Sequence, residues 1–371
     1  MKTPENNASP DRILMIRLSA IGDVVRTLPA LSSLRSQYPD SHIAWAVENK
    51  ARGILEGHPL LDEIIPFDRN ALAESLKNPL RWPRAPALLA RFFGRIRGGE
   101  YDVVFDFHGI LKSGLFAALS GAPSKVGFEK EFVKEFSHLF TNRKIALTDA
   151  GLPRVERNLE LIKPFVSPEN LTDKAVLGVS EEHRRKAMAF MNGKFGDSRP
   201  IVAVHQGTSS KRKLKKWFPK SHAALCDMLA ESLGAGVMLT LGPGELAEVE
   251  EIRSLAQTRP ELGMQTDNLL ELAALLEMCD LMISVDCGPM HIGSAMGVPV
   301  VAIFGPTDIR VNAPYWPPHK VVSSDIHCSP CDENCSHAEC MERVTPEKVF
   351  EAARELLAQT GAPTHGPAPD D

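Results

Sequence analysis

Two segments, one in each half of the 371-residue chain, share the same order of a buried strand, a tight turn with an aspartate, and the start of a helix. The first is the strand Ile13–Leu18, with Asp23 in the turn and a helical pattern over Val24–Tyr38. The second is the strand Leu281–Asp286, whose turn leads into a helix at 290–296. Parallel α/β sheets place binding sites at such turns, at the carboxyl ends of strands. One such turn in each half predicts two sheets whose sites face each other across a cleft.

Strand-like runs alternate with helical patterns along most of the chain, which favours parallel sheets with crossover helices. Strands are predicted at Ile13–Leu18, His42–Val47, Glu63–Phe67, Val103–Phe107, Lys125–Phe128, Arg143–Leu147, Ile201–His205, Val237–Leu241, Leu281–Asp286 and Val298–Phe304. Proline near the start and glycine near the end delimit one helix, from Pro219 to about Gly234, and a last helix runs from Pro346 to about Gln359.

This pattern predicts two domains. The N-terminal domain covers residues 12–165 and the C-terminal domain covers residues 175–358, with the stretch 153–170 as the connection. The tail 361–371 is rich in proline, glycine and aspartate, so we expect it to be disordered.

The composition excludes several classes of protein. Hydrophobic residues make up 43% and charged residues 24% of the chain, which is ordinary for a soluble globular protein. The net charge of −5 argues against general nucleic-acid binding. No apolar run approaches the ~20 residues that span a bilayer, and no leader pattern precedes the first strand. We therefore expect a cytoplasmic protein with reduced cysteines.

The usual nucleotide-binding motifs are absent from the sequence. There is no G-x-G-x-x-G after either first strand, no P-loop, and no Asp-x-Asp that would hold a metal–diphosphate pair. A bound diphosphate would therefore need protein cations. Five of the six residues 211–216 are positively charged, and this run follows the strand Ile201–His205 and the hydroxyls of Thr208 and Ser209. Such groups at a strand end can form a phosphate cradle, although a solvated basic loop is the simpler interpretation.

Both aspartate turns have a chemical and a structural interpretation. Asp23, near a helix N-terminus, is favoured in its ionised form and can remove a proton from a hydroxyl, but a helix N-cap is the simpler role. Asp286 can accept hydrogen bonds from sugar hydroxyls, and Gly288 allows a ligand to approach the backbone. His291 is either part of this site or an ordinary buried helix residue.

These residues lie in an ordered set of motifs that resembles glycosyltransferase family 9, the ADP-heptose:lipopolysaccharide heptosyltransferases. The resemblance covers residues 12–358 and the cysteine-rich segment near the C-terminus is similar to that of some type II and III members. The motifs are R-L-S-A-I-G-D-V-V-R-T-L-P-A-L from Arg17, F-D-F-H-G-I-L-K-S from Phe105, K-V-G-F from Lys125, V-H-Q-G-T from Val204, K-K-W-F-P from Lys215, S-V-D-C-G-P-M-H from Ser284 and V-A-I-F-G-P-T from Val301.

The resemblance implies a GT-B fold, with two Rossmann-like doubly wound domains facing a central cleft. It implies inverting, metal-independent transfer of heptose from ADP-L-glycero-D-manno-heptose to the inner core of lipopolysaccharide, with no cofactor. Asp23 would be the catalytic base. Donor and phosphate binding would fall to Thr208, Ser209, Lys215, Lys216, Asp286, Cys287, Gly288 and His291. Cys287 departs from the more common threonine or serine, and a thiol is a weaker hydrogen-bond donor.

The N-terminal half would bind the lipid A–core acceptor and touch the cytoplasmic face of the inner membrane. A helical pattern at 86–97 combines an apolar stripe with arginines, which is typical of a helix on an anionic membrane. Packing of this stripe on the sheet is the simpler interpretation, which leaves the arginines to meet acceptor phosphates. The candidate acceptor-binding residues are Arg84, Arg91, Lys112 and Lys125.

Four cysteines lie close together at Cys328, Cys331, Cys335 and Cys340. Four thiolates can bind zinc or an iron–sulfur cluster, but this spacing matches neither the paired zinc motifs nor the ferredoxin run. Reduced loop cysteines are the simpler interpretation. For the function as a whole, two alternatives stay open: a family 9 transferase that uses another nucleotide sugar, and a catalytically silent sugar-nucleotide-binding protein.

Overall fold

The computed structural model describes residues 9–196, 198–207, 213–331, 335 and 337–361, except for the side chains of Pro79 and Lys213. The chain forms two compact units, unit 1 up to Gly178 and unit 2 from Val179 onward. The predicted tail 361–371 lies outside the described residues apart from Gly361. No helix in the described residues is long and apolar enough to cross a bilayer.

Unit 1 is built on a parallel sheet of six strands in the order β3-β2-β1-β4-β5-β6. Leu14 at the centre of the sheet pairs with Ala44 on one side and Val104 on the other. The strands are β1 Arg12–Ile16, β2 His42–Glu48, β3 Glu63–Phe67, β4 Val103–Asp106, β5 Ser124–Phe128 and β6 Arg143–Ile145. The helices are α1 Ile21–Val25, α2 Leu28–Gln37, α3 Asn49–Arg52, α4 Arg69–Lys77, α5 Arg84–Gly98, α6 Leu111–Leu119 and α7 Arg154–Ile162.

Unit 2 is built on a second six-stranded parallel sheet, in the order β12-β11-β10-β7-β8-β9. The strands are β7 Ile201–His205, β8 Gly236–Thr240, β9 Glu261–Leu262, β10 Leu281–Val285, β11 Val300–Phe304 and β12 His319–Ser323. The helices are α8 Glu181–Phe195, α9 Pro219–Leu233, α10 Leu246–Leu255, α11 Leu269–Glu277, α12 Gly288–Ala295, α13 Ile309–Asn312, α14 Glu339–Glu342 and α15 Pro346–Thr360.

The central strands are buried on both faces, as helices on both sides of a parallel sheet require. Ile13 to Ile16 of β1 have no exposed surface, and the same holds for Leu281 to Ile283 of β10. Because these strands are covered, polar side chains can reach solvent or a ligand only at the strand ends. The sheet therefore fixes where a site can form in each unit.

Two predictions about the chain path are wrong. The pattern over 24–38 is two helices, because Pro29 has no backbone N–H to continue α1 and instead lies in the first turn of α2. The stretch 153–170 is part of unit 1 and not a connection between units. Its helix α7 buries Val155 and Leu161, and Asn158 donates a 2.9 Å hydrogen bond to the Arg26 carbonyl.

Candidate active-site residues in the two units

Asp23 lies at the carboxyl end of β1, within the short helix α1. It is not the N-cap residue, which is Ala20; instead it is the third helical residue, and its carboxylate accepts a long, 3.4 Å hydrogen bond from the Ala20 N–H. Two arginines hold the carboxylate from opposite sides. Arg17 pairs with one oxygen and Arg26 with the other, the latter at 2.8 Å. Asp23 is thus fixed by charge and remains 24% exposed.

This environment determines the ionisation of Asp23. Burial alone would raise its pKa, but the neighbouring Arg17, Arg26 and Arg154 more than offset this and hold the pKa well below its usual range. The group is therefore ionised throughout the physiological pH range. It is also a weak base while the arginines surround it.

The cations around Asp23 form a cluster that the sequence analysis missed. Besides Arg17 and Arg26, helix α7 contributes Arg154 and Arg157, which are separated by one helical turn and so lie on the same face. Burial, followed by repulsion from Arg154 and Arg17, lowers the pKa of Arg157 to about 10. We refer to Arg17, Arg26, Arg154 and Arg157 as the arginine cluster. It can bind an anionic group beside Asp23.

His108 lies among these charges at the end of β4. Its Nδ1 accepts a hydrogen bond from the Leu18 N–H at 3.2 Å, so the ring proton must be on Nε2. Burial and the nearby Arg17 lower the pKa of His108 to about 3, against the attraction of Asp23. His108 is therefore a neutral hydrogen-bond donor and cannot act as the base.

Asp106 shapes the turn that presents His108. Its carboxylate accepts hydrogen bonds from the N–H groups of His108 and Gly109 and from the Ser113 hydroxyl, at 3.0–3.1 Å. Only 2% of Asp106 is exposed, and burial raises its pKa to about 6 despite these bonds. Asp106 therefore holds the turn that positions His108.

The predicted acceptor-binding residues lie in different surroundings. Lys112 pairs with the buried Glu48, and the Lys125 ammonium donates to the Ala122 carbonyl at 2.6 Å. Arg84 and Arg91 are exposed on α5. A role of these four residues in acceptor binding stays a prediction.

In unit 2, three neighbouring strands bring three polar side chains together. Asp286 follows β10, and its Oδ2 accepts from the Lys215 ammonium at 2.6 Å and from the Thr307 hydroxyl at 2.8 Å. Lys215 comes from the segment after β7, and Thr307 from the turn after β11, the strands on either side of β10. Asp286 is 8% exposed and Lys215 has a 16% exposed side chain. Thr307 was not predicted as a partner of Asp286.

Helix α12 starts beside Asp286. Cys287 is its N-cap residue, and Gly288 and Pro289 form its first turn. The Cys287 sulfur lies 3.2 Å from the Ser284 hydroxyl, and burial raises the pKa of the thiol to about 12, so it stays protonated. His291 is buried within the same helix, with 2% exposed. The positive end of the α12 dipole therefore lies next to the Asp286–Lys215 pair.

Lys216 and Lys215 have different partners. Its ammonium pairs with Glu248 of α10 and lines a cavity of about 570 Å³, together with Gln206 and Trp217. Gln206 is 3% exposed, and neither its amide oxygen nor its amide nitrogen has a hydrogen-bond partner among the residues that the structure describes. Thr208 and Ser209, which we predicted to bind phosphate, lie outside the described residues.

Glu245 is a further acidic group at this sheet edge that the sequence analysis did not single out. Its carboxylate accepts from the Gly242 N–H at 2.7 Å and lies against Gly207, so that a Cβ at position 207 would displace the carboxylate. Glu245 also influences the pKa values of His205 and Cys287. The carboxylate therefore faces the end of β7 near the start of α12.

The four clustered cysteines differ in exposure. Cys340 is buried, Cys331 is partly buried, and Cys328 and Cys335 are exposed, all as free thiols. Within the described residues, no group of three or more histidine, cysteine, aspartate or glutamate side chains is arranged to hold a metal ion. Metal binding by these cysteines stays a prediction.

The comparisons with known proteins identify the family. The model of glycosyltransferase family 9 (heptosyltransferase) matches residues 89–342. A lipooligosaccharide heptosyltransferase 2 of Campylobacter jejuni is 35% identical over 347 residues, which cover 91% of this chain and 95% of the relative. The chain belongs to glycosyltransferase family 9.

Other relatives are similar to this chain over more than nine-tenths of its length. A lipopolysaccharide heptosyltransferase 1 of Campylobacter coli is 26% identical, over 93% of this chain and 99% of the relative. Among solved structures, a family 9 glycosyltransferase of Veillonella parvula has a TM-score of 0.77 at 24% identity, with coverage of 94% of this chain and 97% of the other. ADP-heptose lps heptosyltransferase II of E. coli has a TM-score of 0.71 at 20% identity, with coverage of 94% and 99%. The predicted family and the GT-B fold class are confirmed.

The range that the family model matches contains most of the motifs found in the sequence. The matched range 89–342 includes the turns of Asp106, Lys215, Asp286 and Thr307, while Asp23 precedes it. The similarity to the Campylobacter coli relative extends beyond the family model on both sides, since it covers 93% of the chain.

Proposed function

We propose that this family 9 protein transfers heptose from an ADP-heptose donor to the inner core of lipopolysaccharide, with inversion at the sugar carbon and without a metal ion. The observation that supports this most directly is the Lys215–Asp286–Thr307 arrangement at the start of α12. It gathers a cation, a carboxylate and a helix N-terminus, the groups that a nucleotide diphosphate with ribose hydroxyls requires.

In this proposal unit 2 holds the donor. The Lys215 ammonium and the N-terminus of α12 would stabilise the negative charge that develops on the leaving diphosphate. Asp286 keeps the ammonium in place and, like Glu245, offers carboxylate oxygens to hydroxyl groups. Cys287 would contribute its backbone and not its sulfur, because its thiol already contacts Ser284.

Unit 1 would hold the acceptor, with Asp23 as the base that removes the proton of the attacking hydroxyl. In the free protein the arginine cluster makes Asp23 a weak base. An anionic acceptor that engages some of these arginines would withdraw positive charge from Asp23 and raise its pKa. Binding of the correct acceptor would thus make Asp23 a stronger base. Water, which carries no negative charge to engage the arginines, would not have this effect. His108 would donate its Nε2–H to the same acceptor.

The leading alternatives predict different products. A family 9 transferase with another donor would transfer a different sugar to the same acceptor, and a silent binding protein would bind nucleotide without any transfer. A screen of ADP-heptose and other nucleotide sugars against defined core acceptors, read by mass spectrometry, tests all three. We expect one heptose to be added, with ADP released in equal amount. Transfer of another sugar only, or no transfer with folded protein that binds ADP, would contradict the proposal.

The proposed acceptor is anchored in a lipid bilayer through its acyl chains. We propose that the protein works at the cytoplasmic surface of the inner membrane as a peripheral protein. The surface of unit 1 supports this, because it exposes several large apolar side chains and also exposes arginines of α5. The residues concerned are Leu76, Leu80, Trp82, Phe136 and Leu139, together with Arg84 and Arg91.

A further inference from the structure

The helix that the sequence suggested for membrane contact does not present its apolar side outward. Phe92 and Ile96 of α5 are 5% and 0% exposed, and the Phe92 ring packs against Phe67 and Phe116 at centroid distances of 4.9 and 4.6 Å. The apolar stripe of this helix therefore belongs to the core of unit 1, and packing on the sheet is the correct interpretation.

Three exposed apolar side chains lie instead at the end of α4 and in the segment that connects α4 to α5. Leu76 is 60%, Leu80 is 91% and Trp82 is 58% exposed. We refer to these three residues as the apolar tip. Large apolar side chains that are this exposed and lie close together in the chain are uncommon on a soluble protein, because contact between apolar surface and water is unfavourable. A partner that covers them would remove this contact. The apolar tip is therefore a candidate contact surface.

Hydrogen bonds hold this segment in a defined shape. The Trp82 indole N–H donates to the Leu76 carbonyl at 3.0 Å, and the Arg81 N–H donates to the Asn78 carbonyl at 2.8 Å. Ala85, which is 5% exposed, anchors the start of α5. The apolar tip is thus presented by an ordered turn, so little ordering is needed when it binds.

The charge of the residues around the apolar tip indicates which kind of partner covers it. Residues 69–98 contain seven lysine or arginine residues and one glutamate, in a chain whose net charge is −5. Several of these cations form ion pairs within unit 1. Arg95, for example, pairs with Glu63 at 2.8 Å. Lys77, Arg84 and Arg91 are exposed, and the structure shows no ion pair between them and another described residue. Apolar side chains beside uncompensated cations match the surface of an anionic bilayer.

We propose that the apolar tip inserts into the headgroup region of an anionic lipid bilayer while Lys77, Arg84 and Arg91 contact lipid phosphates. This rests on the proposed function, since it states how the protein reaches a lipid-anchored acceptor. The occupant is the bilayer itself and not the acceptor sugar.

The test uses the full chain and vesicles without any glycolipid, so that binding is measured separately from transfer. Vesicles of phosphatidylcholine with about one-third phosphatidylglycerol are compared with pure phosphatidylcholine by co-sedimentation. We expect binding to the anionic vesicles that weakens with salt, and a roughly tenfold loss in Leu80→Ser/Trp82→Ser or Arg84→Glu/Arg91→Glu. The matched control is Leu246→Ser/Leu255→Ser in unit 2, where the side chains are 53% and 44% exposed; it should bind like the wild type.

Tryptophan fluorescence reports insertion directly. Trp45 and Trp217 are buried and Trp316 is partly buried, whereas Trp82 is exposed. A blue shift on addition of vesicles should therefore arise from Trp82, disappear in Trp82→Phe and persist in Trp316→Phe. Absence of wild-type binding, or binding of the tip variant that equals the control, would overturn the inference. Transfer to a soluble, acyl-free acceptor distinguishes this from failure of the proposed function: the Leu80→Ser/Trp82→Ser variant should keep that activity. Vesicle binding without any transfer would reject the function and leave the membrane surface in place.

Discussion

The Lys215 ammonium donates a 2.6 Å hydrogen bond to Asp286, while the adjacent Lys216 pairs with Glu248 on another side of the unit. Two consecutive lysines therefore belong to two different surroundings. Only Lys215 lies beside the start of α12, where an anion would be stabilised. This distinguishes two residues that the sequence left as equivalent candidates for the diphosphate-binding lysine.

Replacement of Lys215 with methionine should weaken ADP binding and turnover by roughly 10- to 100-fold, as expected for the loss of a charge-assisted contact. Lys216→Met is the matched control and should change ADP affinity by less than about threefold, because a partly exposed ion pair contributes little. Calorimetric titration with ADP measures both. Equal losses in the two variants would remove the distinction.

Replacement of Asp23 with asparagine should lower turnover by about 10²–10⁴-fold, the usual contribution of a positioned base. ADP affinity, which depends on unit 2, should be unchanged. The control Asp62→Asn removes another aspartate–arginine pair of unit 1, between Asp62 and Arg35, and should leave turnover near normal. Near-normal turnover of Asp23→Asn would exclude Asp23 as the base.

The same variant should also be less stable, which the sequence did not suggest. Without the carboxylate, Arg17 and Arg26, with side chains 9% and 6% exposed, lose their shared counter-charge. The free energy of unfolding should fall by roughly 1–3 kcal/mol, less than for a fully buried pair because Asp23 is partly exposed. Since the folded-state pKa of Asp23 is depressed, this contribution is present above the ordinary pKa and is lost only as the pH falls below about 4. Chemical denaturation at pH 7 measures it.

The strands were the most predictable part of the fold. Glu63–Phe67 and Ile201–His205 match the predicted limits, because buried strands of a parallel sheet read as short apolar runs between turns. The edge strands β9 and β12 were missed. Their sequences, Glu-Leu and His-Lys-Val-Val-Ser, are short or polar, since an edge strand is only partly covered.

The position of a candidate residue at a strand end was predictable where strand, turn and helix follow one another in a single motif, as for Asp23 and Asp286. It was not predictable where distant segments meet. Arg154 and Arg157 are about 130 residues from Asp23 in the chain, and their spacing shows a shared helix face but not the partner of that face. Thr307 reaches Asp286 only because β11 lies next to β10 in the sheet.

Replacement of His108 separates its donor role from a role as base. His108→Gln keeps an N–H donor and should retain turnover within about threefold, whereas His108→Ala should raise the acceptor KM or lower kcat by roughly tenfold, the value of one hydrogen bond. ADP affinity should be unchanged in both. Nitrogen NMR of the wild type should show the neutral Nε2–H tautomer from pH 8 to pH 5, because the pKa is about 3. Titration of His108 near pH 6.5, or an alanine variant equal to the wild type, would contradict this role.

Asp106 should make stability depend on pH in a direction opposite to that of Asp23. Its folded-state pKa of about 6 lies above the ordinary value of 3.8, so the fold favours the protonated form. The wild type therefore loses stability from this group as the pH rises through about 6. Asp106→Asn, which stays neutral and keeps an acceptor for the His108 and Gly109 N–H groups, should gain on the order of 1–3 kcal/mol relative to the wild type between pH 4.5 and pH 8. Urea denaturation of both proteins at the two pH values measures this difference. A difference that is independent of pH would show that Asp106 is already fully ionised in the folded state.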